Sequence, residues 1–328
     1  MGDMYLGLDV GGTNLAAGVV DKDGNVIAKT QVPVGDDKSI ETVTKSMYQV
    51  SDAALKSANL SWNEIPYWGI GMPSTVNAAT GLLVHANCFG WHNVPIYSFL
   101  ERFTDCRIYV ENDANCAALA EVRAGAAKGT ENAILLTLGT GVGGGIILDG
   151  KLYPGARGLG AELGHTKIVK GGRRCTCGQQ GCLEAYASAT ALVRRGEEMA
   201  GKHPDSALAH LLSEEGLDGE KIFSAMERGD ETADRLIVEY AKYLAAGISS
   251  FVSIFRPEKI ILGGGISNAG EVLRGRVTKY LRTMTFGAEE IGIPEVVCAR
   301  LGNYAGIIGA ALLHAKKNKE RNENDENT

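Results

Sequence analysis

No stretch of this sequence stays apolar for the roughly 20 residues that a membrane-spanning helix needs, which argues against a membrane partner. The N-terminus, MGDMYLGLDVGG, lacks the basic region and long apolar core of a signal peptide. A cytoplasmic chain with reduced thiols is therefore expected. There is no basic excess either. Lys and Arg number 33 against 39 Asp and Glu, a net charge of -6, so no strong positive field is available to attract nucleic acid. Small anions remain open as ligands, because backbone N–H groups and metals bind them without a basic surface. Neither the P-loop nor the dinucleotide fingerprint occurs. Proline is scarce, 8 residues against 43 glycines. The glycines cluster beside apolar runs, which marks turns and ligand loops rather than low complexity.

What is present suits a two-domain globular protein: 328 residues, 45% of them hydrophobic. Tyr5 to Val10 is a β-prone run ending in Gly11-Gly12-Thr13. A second run, Leu15 to Val20, leads to a hairpin turn at Asp21 to Asn25 and a third strand, Val26 to Val32. The pattern returns as Ala133 to Leu138, Gly139-Thr140-Gly141, Val142 to Leu148 and the turn Asp149-Gly150. An internal duplication and two coincidentally similar hairpins both account for this. Helical segments are expected near 39–57 and 114–125, through most of 182–255 and over 305–315. Strands are expected over 107–111, 259–262 and 295–298. The charged segment 316–328 reads as a disordered tail. Alternating strands and helices indicate an α/β protein with one mixed sheet per domain.

Three groups of residues carry chemistry. In Asp9-Val10-Gly11-Gly12-Thr13-Asn14 the glycines allow close approach to phosphate, Thr13 adds a hydroxyl, and Asp9 is placed to hold Mg2+ through water. Gly139-Thr140-Gly141 and Gly263-Gly264-Gly265 are further glycine turns after strands, and three such turns suit a nucleotide site. In Glu111-Asn112-Asp113-Ala114 a strand meets a helix. Either Asn112 or Asp113 is only the helix cap, or the carboxylate accepts a proton from a substrate hydroxyl. The most specific signal is Cys175-Thr176-Cys177-Gly178-Gln179-Gln180-Gly181-Cys182 with His165 ten residues upstream. Three thiolates and an imidazole make a closed tetrahedral zinc site of structural role. A disulfide would leave one cysteine unpaired. Glu162 and Glu184 flank this set, either as surface carboxylates or as acceptors for sugar hydroxyls. Asn87 and Trp91 offer an amide and an aromatic wall, or a loop packed by its own aromatics.

Asp9 to Thr13, Glu111 to Ala118, Leu138 to Gly145, Glu162 to His165 and Cys175 to Glu184 together resemble the ROK family (repressors, open reading frames and kinases). The resemblance runs over nearly the whole chain up to the tail. Within the family the pattern is similar to the bacterial glucokinases. It implies a two-domain actin-like ATPase fold (ribonuclease H-like) with an interdomain cleft. Residues 1–118 and about 302–316 would form one domain, 119–301 the other with the zinc loop, and 317–328 a disordered tail. It implies ATP-dependent phosphorylation of glucose at its 6-hydroxyl, with Asp113 as the base. Asn87, Asn112, Asp113, Glu162, His165 and Glu184 would contact the sugar. Asp9, Gly11 to Asn14, Gly139 to Gly141 and Gly263 to Gly265 would face ATP and Mg2+. His165, Cys175, Cys177 and Cys182 would hold Zn2+. A homodimer or homotetramer is expected. N-acetylmannosamine or another hexose is the alternative substrate. A sugar-responsive repressor is disfavoured, since the strand ending in Asp9-Val10-Gly11-Gly12-Thr13 leaves no room ahead of it for a helix-turn-helix. One departure bears on the sugar: Pro73-Ser74-Thr75 stands where relatives often carry Pro-Gly.

Overall fold

The structure is a computed structural model that describes residues 3–314. The expected disordered tail and Ala315 lie outside the described residues. These divide into two compact units. One takes the described residues of Met1–Gly129, Gly145–Ala161 and Arg300–Thr328, the other Thr130–Gly144 and Glu162–Ala299.

In chain order the first strands are β1 (Met4–Val10), β2 (Asn14–Asp21), β3 (Val26–Pro33) and β4 (Trp68–Met72). Three short ones follow, β5 (Thr75–Asn77), β6 (Leu82–Ala86) and β7 (Trp91–Pro95), and then β8 (Ile108–Asn112). The later strands are β9 (Ala133–Leu138), β10 (Val142–Leu148), β11 (Lys151–Leu152), β12 (Lys259–Gly263) and β13 (Glu295–Cys298). One sheet has the order β3-β2-β1-β4-β8, another β11-β10-β9-β12-β13, and β5-β6-β7 form a small third sheet. β4 runs parallel to β1 and to β8, and β12 runs parallel to β9 and to β13. The two five-stranded sheets thus share one topology. Coincidentally similar hairpins would not also acquire matching parallel neighbours, so the duplication accounts better for the pattern.

Local chemistry explains the elements. Asp21 closes its hairpin by accepting hydrogen bonds from the N–H of Asp23 and Asn25, both 2.9 Å, and from Asn25 Nδ2 at 2.8 Å. These bonds favour the ionised carboxylate and lower its pKa despite some burial. Ser39 caps the helix Ile40–Ser57, whose Val43, Met47, Val50, Ala54 and Leu55 are buried on one face. They join Leu6, Leu8, Leu15, Val19 and Ile70 in the core of the first unit.

The helix Ala305–Ala311 lies on the same unit at unusually close range. A Cβ at Gly69 of β4 would stand 1.8 Å from the Ala310 carbonyl oxygen. A Cβ at Gly309 would stand 1.8 Å from that of Cys116. Only glycine permits both approaches. Fully buried Glu121, on the helix Asp113–Arg123, ties the chain entering this region. Its carboxylate accepts from the N–H of Ala126 at 2.6 Å, Arg300 at 2.9 Å and Leu301 at 2.8 Å.

In the other unit the 25-residue helix Glu231–Phe255 buries Leu236, Ile237, Leu244, Ile248 and Phe251. β9 and β12 are buried on both faces, as a central parallel pair requires. Among the described residues no helix is long and apolar enough to cross a membrane.

Candidate active site

β8 delivers the first group. Asn112 is the residue that caps the helix Asp113–Arg123: its Oδ1 accepts from Ala114 N–H at 2.9 Å and Asn115 N–H at 3.1 Å. Its Nδ2 donates to the Ser74 carbonyl at 3.2 Å. Ser74, buried, in turn donates to the His85 carbonyl at 2.8 Å. The Pro73-Ser74-Thr75 departure therefore fastens the cap to the small sheet. Behind the cap, buried Glu111 accepts from Asn112 N–H at 2.8 Å and Asn115 Nδ2 at 3.0 Å. Burial raises its pKa. With the cap supplied by its neighbour, Asp113 sits half-buried in the first helical position, Oδ1 accepting from Ala114 N–H at 2.8 Å.

Asp9, at the end of β1, lies close enough to Asp113 to feel its charge. Burial first, and then that charge, push Asp9 up to about 6, with Lys29 opposing the shift. Gly306 makes room for it, since a Cβ there would stand 2.3 Å from the Asp9 carboxyl carbon. The turn that follows is closed by Gly11 N–H donating to the Asn14 carbonyl at 2.8 Å, and Thr13 accepts from Val34 N–H at 2.8 Å. Gly12 packs on Cys88, and Lys38 donates to the Cys88 carbonyl at 3.0 Å. Asp9, the Gly11–Asn14 turn and Asp113 are thus brought together, with the Asn87-Cys88 turn beside them. Asn87 is exposed. Trp91 is buried, stacks on Phe89 at 4.7 Å and donates to the Lys38 carbonyl at 2.8 Å, so the loop is packed by its own aromatics.

The other unit brings together the second group. One ligand atom from each of His165, Cys175, Cys177 and Cys182 lies within 4.8 Å of every other. Cys177 and Cys182 sulfurs are 3.7 Å apart, as are Cys175 Sγ and His165 Nδ1. A tetrahedral ion with metal–sulfur bonds of about 2.3 Å separates its sulfurs by about 3.8 Å, so the set fits zinc. All seven cysteines are free thiols. Lys167 Nζ donates to Cys182 Sγ at 2.9 Å, placing a positive charge beside the cysteine set. Glu162 is exposed just ahead of the short Leu163–His165 turn.

Glu184 is not a surface carboxylate here. Its Oε2 accepts from Val142 N–H at 3.1 Å, and its Oε1 from the Thr176 hydroxyl at 2.7 Å. The Gly139–Gly141 turn is held further by Ala189 N–H and the Thr190 hydroxyl, at 2.8 and 2.9 Å from the carbonyls of Gly139 and Thr140. Gly264 adopts φ 82° with its Cβ position 2.6 Å from the Leu138 backbone. That places Gly263 to Gly265 beside the start of the Gly139 turn. Ser74, Glu111 and Thr176 hold the site residues, a role that their places in the sequence do not show: Glu111 opens the Glu111-Asn112-Asp113 junction, Ser74 lies in the Pro73-Ser74-Thr75 departure and Thr176 stands between two metal-ligand cysteines.

A family model described as ROK family matches residues 5–317. A glucokinase of Thermotoga maritima is 38% identical over 318 residues, covering 94% of this chain and 96% of its own. The crystal structure of a ROK hexokinase from Thermus thermophilus superposes with a TM-score of 0.82 at 34% identity, over 97% of this chain and 99% of that one. A ROK family glucokinase from Streptomyces griseus, solved with glucose and AMPPNP, superposes with a TM-score of 0.80 at 36% identity, over 94% and 98% of the chains. The fold is that of these neighbours, a two-domain actin-like ATPase fold.

Proposed function

Because the chain belongs to the ROK family, we propose that it is an ATP-dependent hexose kinase that converts glucose to glucose 6-phosphate. The observation that carries the chemistry is the division of labour where β8 meets its helix. Asn112 supplies the cap, so the carboxylate of Asp113 serves as a base. As the sugar 6-oxygen attacks the γ-phosphorus of ATP, Asp113 takes the hydroxyl proton. The bond from phosphorus to the bridging oxygen breaks and ADP leaves. Asn87, Asn112, Glu162, His165 and Glu184 accept or donate hydrogen bonds to the remaining sugar hydroxyls. The turns Gly11–Asn14 and Gly139–Gly141 offer backbone N–H groups to the phosphates, and Gly263 to Gly265 border the adenosine.

Asp9 would hold Mg2+ through water; burial first and the Asp113 charge second raise its pKa, and a cation there would relieve the repulsion between the two carboxylates. Bound Mg2+ would neutralise charge on the phosphates. Zn2+ held by His165, Cys175, Cys177 and Cys182 would have no open position, so it would order the loops that carry Glu162 and Glu184 and would take no part in the reaction. The free thiols suit the cytoplasm, and a homodimer or homotetramer is the assembly we infer.

A coupled assay for ADP release across hexoses and N-acetylhexosamines tests this reading. Glucose-dependent ADP release is expected. Release with N-acetylmannosamine alone would make that sugar the substrate, and no ADP release with any of the sugars would indicate a non-catalytic sugar sensor.

A further inference from the structure

The geometry points to Thr176 and Glu184 as a positioning link through which the metal-binding loop sets the shape of the Gly139–Gly141 turn, so that nucleotide affinity depends on that loop. The inference rests on the reading of that turn as a phosphate site.

A single carboxylate joins the two features. Glu184 Oε1 accepts from the hydroxyl of Thr176, which stands between two cysteines of the metal set, while Oε2 accepts from Val142 N–H at the end of the turn. Gly141 is part of the same contact, since a Cβ there would stand 2.4 Å from Glu184 Oε2. The chain then runs from Glu184 through the short helix Glu184–Ala187 to Ala189 and Thr190, which hold the carbonyls of Gly139 and Thr140. Both ends of the turn are therefore held by the seven residues that follow Leu183, itself next to the ligand Cys182. Ordering the cysteine loop fixes Thr176, Thr176 fixes the Glu184 rotamer, and Glu184 fixes the Val142 amide. A turn held in its binding shape loses less freedom when phosphate arrives.

Thr176→Val removes the hydroxyl and keeps the side-chain shape. Hydrogen exchange of the whole protein without ligand, zinc content by elemental analysis, and AMPPNP affinity by calorimetry are then compared with wild type. Faster exchange over residues 139–142, unchanged zinc and about threefold to tenfold weaker AMPPNP binding are expected, the scale of the net contribution of one ordinary hydrogen bond. Thr176→Ser keeps the hydroxyl and should behave as wild type. Unchanged exchange over the turn would overturn the link. So would zinc loss in the Val variant, which would mean that the hydroxyl serves the metal set alone. Faster exchange in a protein whose wild type binds no AMPPNP would uphold the link and refute the nucleotide reading instead.

Discussion

Replacing Asp113 by Asn preserves the shape of the first helical residue and leaves the Asn112 cap intact. The amide still hydrogen-bonds a sugar hydroxyl but takes no proton. Turnover should fall by about 10²–10⁴-fold while glucose affinity, read by calorimetry, stays within a few-fold. Near-normal turnover would reduce Asp113 to a structural residue. Asp9 makes a different prediction, in pH. Its carboxyl is raised to about 6 by burial and by Asp113. Between about pH 4 and pH 6 the folded protein holds a proton that the unfolded chain has lost, so stability falls as pH rises through that window and is flat above it. Asp9→Asn removes the effect. The variant should be more stable than wild type by roughly 1–3 kcal/mol at pH 7.5, the difference closing towards pH 4, while activity drops. Urea titrations at the two pH values decide it; a variant less stable at pH 7.5 would contradict the raised pKa. Sequence alone left the cap and the base undivided between Asn112 and Asp113. Which side chain turns back to the amides depends on the Ser74 carbonyl and buried Glu111, contacts that no local pattern reveals.

Elements of strong period and clear punctuation were legible. β9, β10 and β13 begin and end where the apolar runs do, and Ser39 marks the start of the first helix. The small sheet was missed. Its strands are three to five residues long and rich in Asn, His and Gly neighbours, so 85–91 reads as a loop although β6 and β7 pair across it. The helix Gly270–Met284 was also passed over, starting at a glycine with no side-chain cap and burying only Leu273, Val277 and Leu281. Two predictions belong to this scale. Zinc should be found at one ion per chain, and Cys175→Ser or Cys182→Ser should lose it together with stability and glucose affinity, because metal binding and loop folding are coupled. Elemental analysis showing no zinc in protein purified without chelator would refute the site. Glu121→Ala strips the acceptor from three backbone N–H groups held by a buried carboxylate and should cost about 2–5 kcal/mol in urea unfolding. A loss below about 1 kcal/mol would show that those amides find other partners.

Across the whole molecule, one unit topology used twice explains why glycine turns recur after β1 and β9. The repeat was visible in the sequence only through its hairpins, because the parallel neighbours β4 and β12 come from distant stretches of chain. The choice of sugar is less local still. Several polar groups are assigned to hydroxyls, and a site built to hydrogen-bond a hydroxyl discriminates strongly against a substrate that lacks it. An acetamido group at carbon 2 removes one hydroxyl and needs added room. The most direct measurement is kcat/KM for glucose, mannose, N-acetylglucosamine and N-acetylmannosamine with ATP, with the product phosphate located by phosphorus NMR. The account predicts the highest value for glucose and a phosphate on the 6-oxygen. A higher value for either acetylated sugar, or a phosphate on carbon 1, would contradict it.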